Sequence, residues 1–334
     1  MVTDNKSPER RVFSETYFAK RSLSGVFYRF CRAVLLFGLC FLILQPLLNK
    51  LSVSFMGGDD LFDATVIAIP RNFTLENYRS VGMLMGYWPS LFQTIAIVLV
   101  SALLQVAACT LAAYGFARYK FPFKKFWFGC VMLVIIVPPH IIMASLYLNF
   151  RFFDIFGIFR LFTGEPINML GSFLGYWMLS ATGMGLKSGL YIFILRQYFR
   201  GVPRDLEEAA YIDGCGRLKT FARIMLPDAT PMLVSCFLFS FVWQWTDSFY
   251  STLFLTNHDM LAVRLAALAD VFNHWWANVA MTGAGTAIGS VAPLAHTQMI
   301  VATGVLMVLA PVILLYLVAQ RAFVESLAQT GIKM

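Results

Sequence analysis

The sequence predicts an all-α, polytopic membrane protein with six transmembrane helices. Hydrophobic residues make up 59% of the 334 residues and charged residues only 13%, whereas soluble domains contain about 25% charged residues. Several apolar runs approach the roughly 20 residues that a helix needs to cross a bilayer. The basic residues, which give a net charge of +8, gather in short segments between these runs. That distribution is typical of cytoplasmic loops and argues against a nucleic-acid partner.

The N-terminal part predicts a tail, a span and a loop. Residues 1–32 are mostly polar and carry more Lys and Arg than acids, so we expect a cytoplasmic tail. Span 1 is predicted at 33–51, and it is expected to stay uncleaved because no small-residue cleavage site follows it. Residues 52–88 carry four acids and a Gly-Gly pair, which is typical of an outer loop.

Basic residues set the orientation of the next two spans. Span 2 is predicted at 89–115 and leads into residues 118–125, where four Lys and Arg residues have no acid nearby. We therefore place this loop in the cytoplasm. Span 3 is predicted at 126–148, with a kink at the Pro138-Pro139 pair. Residues 149–172 are expected to form an outer loop with a short interfacial helix.

The remaining apolar runs complete the six spans. Span 4 is predicted within 173–199, where three glycines and Lys187 dilute the apolar run and favour its C-terminal portion as the part that crosses the membrane. Both termini are then expected in the cytoplasm, with a core of spans 2–6 at 89–320. The last elements are span 5 at 231–255, a long outer loop, span 6 at 297–319 and a cytoplasmic tail at 321–334.

Signatures of catalysis are missing from the sequence. No G-x-x-x-x-G-K-[ST] phosphate loop occurs, and residues 183–188 only approach it because Leu186 separates the glycine from the lysine. The four histidines show no HExxH spacing, and the six cysteines show no CxxC spacing. We expect no enzyme activity, no bound cofactor and no metal site in this chain.

The longest polar interruption in the C-terminal half is the segment 203–227. Pro203 and the acids after it suit the start of a helix. Gly214 permits the positive φ that ends one helix and redirects the chain, and apolar residues then recur at helical spacing up to Pro227. The segment therefore predicts two short helices on the cytoplasmic side. Two interpretations stay open from the residues alone: packing on the chain's own bundle, or docking to a cytosolic partner.

A resemblance to a known family favours docking. Residues of the segment match the EAA loop of binding-protein-dependent ABC importer permeases, and the resemblance extends over about residues 65–334 in the order expected for the maltose-type, carbohydrate-importing subgroup. The matching stretches outside the loop are PRNFTLENY (70–78), AAYGFARYKFPF (112–123), FILRQYFRGVP (193–203), WTDSF (245–249) and the QRAFV ending (320–324).

The resemblance implies an ABC importer type I permease fold in a bacterial inner membrane. It implies alternating access, with ATP and Mg²⁺ bound by a separate ATPase dimer, substrate delivered by an extracytoplasmic solute-binding protein, and a second permease subunit completing the pathway within membrane lipid. Glu208, Ala209 and Ala210 are expected at the docking surface, and Gly214 is expected to set the turn. The full set of coupling residues implied by the resemblance is Glu207, Glu208, Ala209, Ala210, Asp213, Gly214, Phe221, Ile224, Leu226 and Pro227.

Three residues near the end of span 5 are candidates for the substrate pathway. Asp247 is a carboxylate within an apolar run, and such residues are functional candidates; the alternatives are an interhelical hydrogen bond or a position at the outer interface. Trp245 and Phe249 share its WTDSF element. Lys187 is interpreted as a residue that snorkels near the outer end of span 4.

Other interpretations stay open. The aromatic residues Phe272, Trp275 and Trp276 suit an interfacial belt, although they could also stack on sugars. A permease for a non-sugar solute is the alternative within the family. An ion-gradient-driven secondary transporter is the alternative outside it, and it would need embedded charges that the sequence offers only at Asp247 and Lys187.

Overall fold

The computed structural model describes residues 23–332 apart from positions 64, 67, 68, 156 and 282–290. Most of the predicted tail 1–32 and the end of the tail 321–334 therefore lie outside the described residues. The described part is helical, and its α-helices are α1 (Leu23–Ser54), α2 (Glu76–Leu84), α3 (Tyr87–Arg118), α4 (Lys124–Ile136), α5 (Met143–Arg151), α6 (Ile158–Thr163), α7 (Phe173–Ala181), α8 (Ser188–Gly201), α9 (Asp205–Ile212), α10 (Arg217–Thr220), α11 (Leu226–Asp228), α12 (Thr230–Trp245), α13 (Phe249–Phe254), α14 (Leu261–Met281) and α15 (Leu294–Ile332).

The chain divides into two compact units, Met1–Phe73 and Thr74–Met334. The first contains α1 and the loop that follows it. In that loop the Asp60 carboxylate accepts hydrogen bonds from the backbone N–H groups of Arg71 at 2.9 Å and Asn72 at 2.8 Å. These bonds close the loop on itself, because one buried carboxylate satisfies two successive donors. The second unit contains all the other helices.

Among the described residues, three helices are long and apolar enough to cross a membrane, and the number rises to five if each of two bent helix pairs is one span. The predicted count of six is therefore not confirmed. The three single helices correspond to predicted spans 1, 2 and 6 and cover Phe27–Ser54, Tyr87–Arg118 and Leu294–Arg321.

Predicted span 3 is bent, and a second bend lies just before predicted span 5. The chain turns by 101° between Lys124–Ile136 and Pro139–Arg151, so the Pro138-Pro139 pair does more than kink one helix. Proline lacks the N–H that would continue the helical ladder, and a short 3₁₀ turn replaces it. The second pair bends by 75° between Arg217–Asp228 and Thr230–Trp245. Predicted span 5 thus follows directly from the polar segment.

Predicted span 4 is two helices rather than one. Helix α7 ends at Ala181 and α8 begins at Ser188. Gly183 adopts a φ of +71° and Lys187 a φ of +61° between them. A residue in the left-handed conformation cannot continue a right-handed helix, so the chain breaks here.

The predicted outer loop between spans 5 and 6 contains the 21-residue helix α14, which packs on α15. Phe272 of this helix is buried, so an interfacial belt does not describe it, whereas Trp275 is half-exposed. The glycine-rich stretch that follows lies outside the described residues.

A buried apolar cluster joins α3, α8 and the start of α12 to the polar segment. It consists of aromatic, aliphatic and sulfur-containing side chains. Its buried members are Cys109, Ala113, Tyr114, Tyr191, Ile192, Leu195, Phe199, Val202, Met225, Ala229, Met232 and Cys236.

Candidate functional site

The polar segment folds as two short helical arms around a tight turn. Asp205, Glu207 and Glu208 occupy the first turn of α9, where carboxylates complement the positive end of the helix dipole. Gly214 then adopts a φ of +77° with open space around its missing side chain. It is therefore the backbone conformation, and not a close contact, that requires glycine at this turn.

The two faces of α9 differ in exposure. Glu207 and Ala210, which are three residues apart and so share a helix face, are buried, whereas Glu208 and Ala209 are exposed. The prediction that Ala210 lies at the surface is therefore wrong: its side chain is 3% exposed and faces the bundle. Ile212 at the end of the helix is 87% exposed.

Glu207 connects the segment to the long helix α3. The Tyr114 hydroxyl donates a hydrogen bond of 2.8 Å to Glu207 Oε1, and Arg118 Nε lies 3.4 Å from Glu207 Oε2. Arg118 also donates a 2.7 Å hydrogen bond to the carbonyl oxygen of Val202, just before the segment. The Arg118 and Glu207 side chains are only 6% and 10% exposed. A buried ion pair fixes geometry more than it adds stability, because desolvation offsets much of its attraction.

The second arm packs against the same tyrosine. The Phe221 ring lies 4.7 Å from the Tyr114 ring, centroid to centroid. A π-helical turn at Phe221–Met225 brings Met225 to full burial. Ile224 and Leu226 are partly buried, while Asp213 and Pro227 are exposed. The predicted coupling residues are thus brought together on one loop, but they divide between an inward and an outward face.

A polar cleft of about 240 Å³ opens at the base of α9. Burial, followed by the nearby Glu207 carboxylate, raises the pKa of Tyr211 at its edge, so this phenol stays neutral. Three arginines and two glutamates give the cleft a mixed charge. It is lined by Arg118, Tyr119, Arg204, Glu207, Glu208, Tyr211 and Arg217.

The predicted pathway residues have local partners. The Asp247 carboxylate accepts hydrogen bonds from the backbone N–H groups of Phe249, Tyr250 and Ser251 at 3.1–3.3 Å and so caps α13. These hydrogen bonds join Asp247 to the next few residues of the chain, so they differ from the interhelical hydrogen bond considered above. The buried Trp245 indole donates to the carbonyl oxygen of Val308 at 3.0 Å. The Phe249 ring packs edge-on against His140 at 4.2 Å.

Gln105 is a connecting residue that the sequence analysis missed. Its fully buried amide donates to the carbonyl oxygen of Leu186 and to Ser188 Oγ, both at 2.7 Å. Its Oε1 accepts from Ser240 at 2.6 Å and from Gln244 at 2.8 Å. Three helical segments therefore meet at one side chain. The only signal in the sequence is a glutamine inside an apolar run, which does not reveal its partners.

The same contacts locate Lys187. It immediately precedes the first residue of α8, within the break at 182–187 that is held to Gln105 in the interior of α3. Lys187 is exposed, and its Nζ lies 5.0 Å from the ring centroid of Trp243.

The sequence was compared with known families and proteins. The family described as "Binding-protein-dependent transport system inner membrane component" matches residues 105–327, well over half of the chain. A probable ABC transporter permease of Pyrococcus horikoshii is 32% identical over 191 residues, which are 56% of this chain and 63% of that protein. A maltodextrin transport system permease of Bacillus subtilis is 25% identical over 312 residues, 93% of this chain and 99% of that protein.

A further relative and a solved structure agree. An arabinooligosaccharides transport system permease of Halalkalibacterium halodurans is 25% identical over 300 residues, 88% of this chain and 93% of that protein. The crystal structure of a bacterial ABC transporter involved in the import of the acidic polysaccharide alginate aligns with a TM-score of 0.65 at 20% identity, over 96% of this chain and all of that one; this likeness concerns the fold. The chain therefore belongs to the family of binding-protein-dependent transport system inner membrane components, the permease subunits of ABC importers.

Proposed function

We propose that this permease imports a carbohydrate by alternating access, and that the segment 203–227 is the element through which an ATPase drives it. Relatives named for maltodextrin and arabinooligosaccharide transport support a sugar as the cargo. The proposed partners are a second permease subunit, an ATPase dimer that binds ATP and Mg²⁺, and an extracytoplasmic solute-binding protein. The chain itself makes and breaks no covalent bond in this mechanism. In the proposed orientation, both of its termini lie in the cytoplasm.

The exposure of two apolar side chains on the segment carries the coupling proposal. Ile212 and Leu218, on either side of the Gly214 turn, are 87% and 83% exposed. Arginines flank them on a segment that the charge distribution assigns to the cytoplasm, so neither lipid nor the chain's own core is available to cover them. Small exposed apolar patches at a loop tip suit insertion into a cleft of a partner.

The inward face of the segment supports transmission of movement. Glu207, Phe221 and Met225 are held against α3 and the buried cluster described above. A push on Ile212 or Leu218 would therefore be passed to α3 as a rigid displacement, because close-packed interiors transmit strain.

Replacement of Ala209 tests the coupling proposal. Ala209 is exposed on the outer face of α9, so Ala209→Trp leaves the packing of the bundle intact and obstructs docking. We expect ATP-dependent sugar uptake to fall at least tenfold and the ATPase to be lost on purification, while the permease level in the membrane stays normal. The matched control is Ala209→Ser, which should retain uptake. Full uptake by Ala209→Trp would rule out docking through this face.

A further inference from the structure

The break between α7 and α8 lies deep in the bundle. Gln105 binds Leu186 and Ser188 of the break, and the part of α3 from Gln105 to Arg118 is about 20 Å long. The part of α8 from Ser188 to the basic residue Arg200 is about 18 Å long. The hydrocarbon core of a bilayer is about 30 Å thick. Measured from the cytoplasmic basic residues, both estimates place the break inside the hydrocarbon core, about 10–12 Å from its outer edge.

The break is tightly fixed on its inner side. A side chain at Gly185 would come within 2.9 Å of Gln105 Nε2, and one at Gly189 within 2.9 Å of Ile135 and of the carbonyl oxygen of Val131. The backbone of the break therefore touches α3, and the first turn of α8 touches α4. Lys187, which lies between these two contacts, is exposed instead.

The charge of Lys187 has no carboxylate partner within 4 Å among the residues that the structure describes. Its neighbour is the indole of Trp243, 46% exposed. An ammonium group within the hydrocarbon core is costly next to lipid, and intramembrane cations usually face a water-filled cavity. A lysine side chain is also too short to reach either membrane surface from there. Lys187 and Trp243 thus form an exposed cation and aromatic pair where lipid is a poor neighbour.

We propose that Lys187 and Trp243 line the translocation pathway and form a subsite for a carbohydrate that carries a negative charge, such as a uronic-acid sugar. The indole face suits the C–H face of a sugar ring, and the ammonium group supplies three donors and a charge to a carboxylate. The left-handed backbone at Lys187 is strained for a side-chain-bearing residue, and such strain clusters at ligand-holding positions. This inference rests on the carbohydrate function proposed above.

Accessibility tests the pathway assignment without any ligand. In a cysteine-free background, Lys187→Cys and Trp243→Cys in the assembled complex should react with the charged, membrane-impermeant reagent sulfonatoethyl methanethiosulfonate. Trp243→Cys lies on a regular helix, so it does not depend on the backbone at 187. The matched control is Leu103→Cys. Leu103 lies two residues before Gln105 and is exposed on an apolar face, so a cysteine there should stay unmodified. Protection of both positions at the level of the control would overturn the proposal in favour of contact with lipid or the second permease.

The charge of the cargo is tested by transport. Uptake of a galacturonate trisaccharide and of maltotriose is measured with the same binding protein for wild type, Lys187→Gln and Lys187→Arg. The binding protein is unchanged, so a change in the ratio of the two uptake rates reports on the permease. We expect Lys187→Gln to lower the galacturonate-to-maltotriose ratio at least tenfold and Lys187→Arg to keep it within threefold.

The outcomes separate this inference from the proposed function. An equal loss for both sugars in Lys187→Gln, or a wild type that takes up only maltotriose, would overturn the negatively charged cargo while leaving carbohydrate import intact. A wild-type complex that hydrolyses ATP but takes up neither sugar would contradict carbohydrate import itself.

Discussion

Tyr114 on α3 donates a hydrogen bond of 2.8 Å to Glu207 on α9, which joins a helix long enough to span the membrane to the polar segment. The same tyrosine ring touches Phe221 on the second arm of the segment. One side chain thus contacts both arms. If the segment is the coupling element, Tyr114 is one of the residues through which movement of either arm reaches α3.

The first prediction concerns that hydroxyl. Tyr114→Phe removes a buried hydrogen bond to a charged group, and such bonds contribute about 1.5–3 kcal/mol, while the ring contact with Phe221 remains. We expect sugar uptake to fall severalfold while ATP hydrolysis by the assembled complex continues, since docking is kept but its link to α3 is loosened. Uptake and ATPase activity are measured on the same proteoliposomes.

Tyr119→Phe is the matched control. The hydroxyl of this neighbouring tyrosine makes no hydrogen bond among the residues that the structure describes, and its ring packs against Tyr114 with a centroid distance of 5.7 Å. Uptake should be close to wild type. A parallel fall of uptake and ATPase activity in Tyr114→Phe would point to failed docking rather than failed transmission.

The second prediction separates backbone from side chain at the turn. Gly214→Ala places a side chain at a φ of +77°, which costs roughly 1–2 kcal/mol, although the space around it is open. Gly214→Pro demands a φ near −65° and should abolish uptake while membrane insertion continues.

Gly216 provides the control two residues away, because its φ is −71° and its surroundings are also open. Gly216→Ala should therefore retain uptake and thermal stability. Comparable losses in the two alanine variants would mean that side-chain bulk at the docking face, not backbone conformation, decides the outcome.

The third prediction concerns Asp247. Because its carboxylate caps α13 through three backbone N–H groups, Asp247→Ala should destabilise the protein by about 1–2 kcal/mol. Asp247→Asn keeps one acceptor oxygen and should cost less. Thermal unfolding of the detergent-solubilised proteins measures whether stability decreases from wild type to Asp247→Asn to Asp247→Ala.

Transport distinguishes a cap from a pathway residue at this position. If Asp247 acts only as a helix cap, uptake should follow the amount of folded protein, so that Asp247→Asn takes up more sugar than Asp247→Ala. Complete loss of uptake in Asp247→Asn at normal thermal stability would restore Asp247 as a direct participant in the pathway.

Local features of the fold were predictable from the sequence, and contacts between distant residues were not. Gly214 was identified as a turn because only glycine adopts positive φ freely, and Pro138-Pro139 marked a real change of direction. Ala210 was misplaced because the EAA pattern does not say which face of α9 turns inward. The orientation of α9 is set by the hydrogen bond between Glu207 and Tyr114, which lies far away in the sequence. The break at Lys187 was predicted only in part: glycines and Lys187 indicated that the C-terminal portion of 173–199 crosses the membrane, but composition does not give the residues at which one helix ends and the next begins.

The last prediction tests the connection at Gln105. A methyl group at Gly185 would come within 2.9 Å of Gln105 Nε2 and 3.2 Å of Gln105 Cδ. The far end of a flexible side chain would normally move aside, but this amide is held by hydrogen bonds from both its nitrogen and its oxygen. We expect Gly185→Ala to lower the thermal stability of the protein clearly.

A double-mutant cycle isolates the cause of that loss. Gln105→Ala alone destabilises the protein, because buried polar groups of Leu186, Ser188, Ser240 and Gln244 each lose a hydrogen bond. In that background Gly185→Ala should cost less than in wild type, with a coupling of about 0.5–3 kcal/mol, since the amide it would strike is gone. Gly115→Ala on the same helix α3 has open space and should be neutral or slightly stabilising. Strictly additive effects of the two changes would show that Gly185 is constrained by its own backbone and that Gln105 does not hold the break in place.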